Sequence, residues 1–238
     1  MKKHVLFFIM IIKVMLASYA MDFDEDCFGF AISGKSYFYD NHKQLKENTI
    51  GRIRRDVINA LNNEKDATIE EKMKLLLHEA SYHAECNDLV KELLKSNIDP
   101  NSEYLFGYPL NNACSSGSFE NVKILLKYKA NPNLGSSLVI ASKKGHLEIV
   151  QLLLKHKMIN IDIKDAFGDT ALTGIFSQYA EIKIENARKA LILMLLQAGA
   201  NPFIKNTNKQ DAISLAKKKG LNEIAELMKN FWRFPKGI

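Results

Sequence analysis

Ala141-Ser142-Lys143-Lys144-Gly145-His146-Leu147-Glu148-Ile149-Val150 is the stretch that decides the fold. Small Ala141 lets one helix pack close to a neighbour. Gly145 ends that helix where a left-handed backbone is cheapest for glycine. A second, apolar helix then begins and runs on through Leu153-Leu154. The same helix–glycine–helix order recurs on both sides. One residue of the closing apolar cluster of each later helix falls at 93, 125, 153, 195 and 228, in steps of 32, 28, 42 and 33. A recurring unit that cannot bury its own apolar face must stack on copies of itself, so the chain reads as a solenoid of helix pairs.

The units carry a recognisable pattern. One reads Tyr108-Pro109-Leu110, Ala113-Cys114-Ser115-Ser116-Gly117, Glu120-Asn121-Val122-Lys123-Ile124-Leu125-Leu126, closing Ala130-Asn131-Pro132-Asn133. A later one opens Asp165-Ala166-Phe167-Gly168-Asp169-Thr170-Ala171-Leu172 and closes Gly199-Ala200-Asn201-Pro202. The last runs Asp211 to Ala216, then Gly220 and Glu223-Ile224, and the weakest has His78-Glu79-Ala80-Ser81, Leu93-Leu94 and Asp99-Pro100-Asn101. These segments resemble ankyrin repeats, whose period is about 33 residues. The resemblance implies an all-α ankyrin-repeat solenoid of about five repeats, helix–turn–helix units joined by β-turn fingers.

The expected repeats are 69–101 (degenerate), 102–133, 134–162, 163–203 and 204–231, with a tail at 232–238. The 28-residue step predicts a shortened finger in the third unit, where four residues separate Asn133 from Leu138. The 42-residue step predicts an insertion at 179–186, between the fourth unit's helices, as a helix extension or a loop. Charged Lys217, Lys218, Lys219, Glu223, Glu226 and Lys229 suit a solvated terminal repeat, with Phe231, Trp232 and Phe234 folding back on it.

Residues 1–20 read as a secretory signal peptide: Lys2 and Lys3, an apolar run from Val5 to Leu16 broken by Lys13, then Ser18 and Ala20 at −3 and −1 of a cleavage before Met21. The alternatives are a buried helix or an uncleaved membrane anchor. The run is short of the roughly 20 residues a span needs. Cleavage lowers the formal charge from +6 to about +3, too modest to argue for nucleic acid. Residues 21–68 hold an acidic head (Asp22 to Asp26), an aromatic stretch (Phe28 to Tyr39) and helical spacing over 42–62. With Thr68 and Glu71 as a capping box, they read as an N-terminal helical cap.

Several apparent catalytic motifs lose their force in context. Gly29 to Ser36 fits the phosphate-loop pattern, but acidic residues precede it and Tyr37-Phe38-Tyr39-Asp40 is a poor helix start. Nucleotide binding there stays an alternative. His78 and His83 are five apart, not the four that place two zinc ligands on one helix face. His78 is expected to make a loop hydrogen bond instead. Cys27, Cys86 and Cys114 are an odd count; export would allow one pair to oxidise, and Cys114 sits where a buried thiol fits. The chain is expected to be no enzyme and to need no cofactor or metal.

The resemblance implies a cupped binding face built from finger tips and first helices. Its positions here are Tyr82, His83, Ser115, Ser116, Lys143, Lys144, Ser177, Gln178, Lys217 and Lys218, with Tyr104, Leu105, Phe167, Asp169 and Asn208 from the fingers. The cup is expected to be aromatic at one end and basic toward the other, with a notch where the third finger is cut short. Phe167 and Lys143 are the pair whose joint loss is expected to abolish binding. The expected partner is a protein with an acidic segment, met by a monomer. Membrane contact is expected only if the N-terminal segment stays uncleaved. The whole resembles exported ankyrin-repeat proteins of bacteria that live inside host cells. A periplasmic module guarding one of the bacterium's own enzymes is the second reading, and a membrane-tethered scaffold the third.

Overall fold

A computed structural model of the chain describes residues 69–104, 107–177, 180–182 and 185–233. The signal segment, the expected N-terminal cap, Cys27, Gly29 to Ser36, Leu105, Gln178 and Phe234 lie outside the described residues.

Among the described residues ten α-helices form five pairs: α1 Ile69–Tyr82 with α2 Asn87–Lys95, α3 Pro109–Ser116 with α4 Phe119–Lys127, α5 Ser137–Lys144 with α6 Leu147–Leu154, α7 Ala171–Gly174 with α8 Glu185–Gln197, and α9 Ala212–Lys218 with α10 Asn222–Arg233. Among the described residues there is no strand beyond one antiparallel bridge, Tyr104 to Gly107. The recurring positions decide the core. Leu93, Leu125, Leu153, Leu195 and Met228 are all 0% exposed. Around them α2 buries Leu89 and Val90, α4 Val122, α6 Ile149 and Val150, and α8 Leu191 and Ile192. Each fully buried leucine is worth roughly 1.5–3 kcal/mol. The first helices bury small residues, Ala80, Ala113, Ala141 and Ala216, each at most 1% exposed. Gly117, Gly145 and Gly220 follow the first helices with φ of 78°, 80° and 76°, as the pattern predicts.

Polar side chains tie one unit to the next. Asn121 is fully buried and its amide donates to the carbonyls of Ala80, Ser81 and His83, while Ser118 donates to that of Tyr82. These carbonyls lie at and just past the C-terminal end of α1, where intrahelical donors run out. His78 packs under the second finger: its Nε2 lies 2.7 Å from the Ser102 carbonyl, so that nitrogen carries the proton. Burial pushes the His78 pKa below the ordinary histidine value, and the Ser102 bond opposes only part of this. The folded protein therefore binds this proton less well than the unfolded chain. Stability from His78 is full above about pH 6.5 and is lost as pH falls below it. Urea midpoints are expected to drop between pH 7.5 and 5.5, and His78→Leu to flatten that slope.

A ladder of Asx side chains runs along the loops after the second helices. Asp99, Asn131, Asn160 and Asn201 each accept from the backbone N–H two residues on, closing an Asx turn. The residue two places later then reaches the next unit: Asn101 Oδ1 accepts from Asn131 N–H at 2.7 Å, Asn133 from Asn160 at 2.8 Å, and Asp162 from Asn201 at 3.0 Å. Asp162 is the one acid where the earlier rungs use asparagine. Burial holds its carboxyl above the usual aspartate range, against the opposing Asn201 bond. A raised carboxylate pKa means the charged form costs folding energy at neutral pH, a cost relieved as pH falls. Asp162→Asn keeps the acceptor and removes the charge. It is expected to stabilise at pH 7 by under about 1 kcal/mol, since solvent screens part of the effect. Denaturant midpoints at pH 7 and pH 4 check it: the gain is present at the first and shrinks at the second.

Candidate functional site

The fourth and fifth fingers share one construction. In the fourth, Asp165 N–H donates to the Asp169 carbonyl at 2.9 Å, and Asp165 Oδ1 accepts from the N–H groups of Phe167 and Asp169. In the fifth, Asn206 N–H donates to the Gln210 carbonyl at 3.0 Å, and Asn206 Oδ1 accepts from Asn208 and Gln210. One Asx side-chain oxygen, Oδ1, therefore closes each turn. The two turns are also bonded to each other. Thr207 donates to the Phe167 carbonyl through its backbone N–H at 3.2 Å and its hydroxyl at 2.8 Å, and Asn206 Nδ2 donates to Asp169 Oδ1 at 3.0 Å.

Lys143 pins this pair of fingers from below. Its ammonium sits 2.6 Å from Asp165 Oδ2 and 2.9 Å from Asp169 Oδ2. It also lies 5.3 Å from the centre of the Phe167 ring. Burial alone would lower the lysine's pKa; the two aspartates outweigh it and hold it above the ordinary value. Gly174 makes room for the stem, because a Cβ there would stand 3.0 Å from Lys143 Cε. Lys143 is 9% exposed and Asp169 4%. Neither belongs to an open rim, which corrects their reading as surface positions. A lysine can be buried here because two carboxylates return over it from the next unit. A Lys143 substitution consequently reads out folding before it reads out binding.

The segment between α7 and α8 covers the neighbouring stretch. Glu181 N–H donates to the Lys143 carbonyl at 2.8 Å, Lys144 pairs with the Glu181 carboxylate, and Ile182 packs on Gly145. Arg188 holds the segment through the Ile182 carbonyl at 2.7 Å. Lys144 is thus a half-buried ion-pair partner and no free cation. The inserted residues are used in two ways: α8 is lengthened to 13 residues against 9 in α4, and 180–182 lie back on α5.

The remaining candidates fall into two groups. Ser115 and Ser116 are half-buried between units: the Ser115 carbonyl meets His146 at 3.4 Å, and Ser116 Oγ meets Ser118 Oγ at 2.8 Å. Ser177 is half-buried in the turn after α7. Tyr82, 48% exposed, stacks edge-on against His83 at 5.4 Å, at the first-repeat end. Tyr104 sits edge-on to buried His78 at 5.8 Å. Lys217 and Lys218 are exposed on α9, with Lys217 3.8 Å from Glu226. Asn208 is exposed at the tip of the fifth finger. The fold brings Phe167 and Asp169 together at Lys143, sets Asn208 on the adjoining finger, and leaves Tyr82 and His83 on the first repeat. Missing from the sequence reading are Asp165, Asn206, Thr207 and Glu181. The matched Asx residues that open both fingers were the available signal.

In place of a third finger, a 3-10 turn spans Leu134–Ser136. Asn111 Nδ2 donates to the Gly135 carbonyl at 3.0 Å, Ser137 Oγ to Asn111 Oδ1 at 2.7 Å, and Ser136 Oγ to the Lys164 carbonyl at 2.9 Å. The short turn is stitched to both neighbouring units.

Residues 77–166 match the family model for ankyrin repeats in three copies. A Plasmodium falciparum (isolate 3D7) protein whose name proposes an E3 ubiquitin-protein ligase is 31% identical over 82% of this chain and 2% of its own length. The ankyrin repeat protein YahD of Escherichia coli (strain K12) is 31% identical over 49% of this chain, which spans 59% of it. The ANK repeat-containing protein nipk-1 of Caenorhabditis elegans is 30% identical over 56% of this chain and 25% of its length. The chain therefore spans less than two thirds of each relative. Helix pairing, glycine-ended first helices and the family match agree: residues 77–166 of this chain are ankyrin repeats, and the helix pairs that follow repeat the same build.

Proposed function

We propose that this chain is a non-catalytic protein-binding module, exported across a bacterial inner membrane by its N-terminal segment and acting on a host or periplasmic protein. The observation that carries the binding reading is Phe167: it stands 55% exposed on a turn braced by three consecutive repeats. Ankyrin repeats are protein-interaction modules, and a rigid exposed aromatic is what a hot spot needs. The described residues offer little for chemistry. The ammonium of Lys143 is saturated by two carboxylates. Burial pushes the Cys86 and Cys114 thiols up to about 11 and about 12, far from a reactive thiolate. The ligase name of the Plasmodium relative concerns a protein of which the match spans 2%.

Export rests on the sequence of residues 1–20. Intact mass and fractionation of the protein in its own cells test it. A mass beginning at Met21 in periplasm or medium supports export. A full-length mass in the membrane fraction replaces it with the tethered scaffold. ATP binding that vanishes in Lys35→Ala would instead favour the phosphate-loop reading.

A further inference from the structure

We propose that the fourth and fifth fingers form a recognition site for an acidic protein segment carrying an apolar side chain, with Phe167 as its anchor. The proposal rests on the protein-binding reading above and names the partner's chemistry.

The turn that presents Phe167 is overdetermined. Asp165 fixes its start, Thr207 holds its carbonyl from the next repeat, and Lys143 fixes its carboxylates from the previous one. A half-exposed ring gains little folding energy from this bracing. A partner gains more, because the aromatic is already ordered and binding does not have to order it. Ala166 beside it is exposed too, so the finger tip is apolar.

The exposed charged residues of these two fingers are all lysines. Lys164, Lys205 and Lys209 are exposed on the same two fingers, and Lys164 Nζ spans them by donating to the Lys205 carbonyl at 2.9 Å. Among the described residues none of the three pairs with a carboxylate. The two aspartates of the fourth finger cannot serve them, since Lys143 takes both from beneath. The buried lysine thus leaves the surface lysines uncompensated. An apolar tip within a cationic fringe is complementary to an apolar side chain flanked by carboxylates. A polyphosphate chain would use the lysines and leave the ring and Ala166 idle, which separates a nucleic acid from a peptide.

The test is selection from a random peptide library on the full-length chain, followed by fluorescence anisotropy of the recovered peptides at physiological salt. The expected peptides are enriched in Asp and Glu around one apolar residue. Phe167→Ala is expected to weaken them about tenfold or more. The exposed-site variant Lys209→Glu is expected to weaken them about threefold to tenfold, with Phe167→Tyr close to wild type. Gln151→Ala, exposed on α6 and outside the binding face, should leave affinity unchanged. Recovered peptides without acidic enrichment, or affinity that survives both Phe167→Ala and Lys209→Glu, overturn the site while leaving the binding module standing. Recovery of no peptide above an unrelated control protein overturns both. A single-stranded DNA oligonucleotide that binds as well as the peptides and ignores Phe167→Ala overturns the partner class.

Discussion

Lys143→Met is expected to lower the unfolding free energy of the repeats by about 3–5 kcal/mol. Methionine keeps an unbranched stem for the path past Gly174 and removes only the ammonium. Two carboxylates, Asp165 and Asp169, then face each other with no cation between them. Removing one partner of a buried ion pair is costly because the remaining charge stays desolvated. The damage is expected to be local first, since each repeat contacts only its neighbours. Hydrogen exchange should accelerate in 165–177 and around Thr207 before it does in α4. Asp165→Asn added to Lys143→Met should recover part of the loss by removing one uncompensated charge. The pH dependence has a fixed sign. The folded pKa of Lys143 is raised, so its stabilisation is complete below the ordinary lysine value of about 10.4 and is lost as pH rises beyond it. Alkaline urea titrations should show that loss in the wild type and a smaller one in Lys143→Met. A stability change below about 1 kcal/mol at pH 7 would mean that the triad is an ordinary solvated pair.

The repeat architecture was legible because burial and period coincide. Leu93, Leu125, Leu153, Leu195 and Met228 recur at near-repeat steps, and every one is fully buried. First-helix ends were legible because Gly117, Gly145 and Gly220 need a positive φ. His78 was legible as a loop-bonding histidine. The site was read only in part. Phe167 and Asn208 do stand exposed on adjacent fingers, whereas Lys143 and Asp169 are buried. A lysine in the last turn of a helix looks solvated, and only two acids arriving from the next repeat make burial tolerable. The return of 180–182 onto α5 follows from an inserted segment with no periodic signal. The C-terminal aromatics follow neighbouring packing as well. Helix α10 runs through Phe231 and Trp232 instead of folding back, and the Trp232 ring lies 6.5 Å from Phe203 of the fourth repeat. The Asx ladder was hidden for another reason. Asn101, Asn133 and Asp162 sit two residues past the turn-forming Asx, and their partners are backbone groups of the next repeat, which a composition pattern does not reveal.

Gly135→Ala is expected to cost about 3 kcal/mol or more, with Gly220→Ala as its internal control at about 1. Both glycines have positive φ, 61° and 76°. A side chain at either pays the left-handed penalty of about 1–2 kcal/mol. They differ in space. A Cβ at Gly220 meets nothing within 4 Å, whereas one at Gly135 would fall 1.9 Å from Asn111 Nδ2 and 2.8 Å from Tyr108 Cδ2. Asn111 cannot step aside cheaply. It is 8% exposed, donates to the Gly135 carbonyl and accepts from Ser137 Oγ, so moving it breaks two bonds worth about 1 kcal/mol each. The contracted third finger works only because glycine lets Asn111 lie directly against the turn. Urea unfolding of the two variants side by side gives the answer. A difference of about 2 kcal/mol between them assigns the excess to the Asn111 contact. Equal costs would mean that the turn relaxes around the methyl group, and that the stitching of the third repeat to its neighbours is looser than these bonds imply.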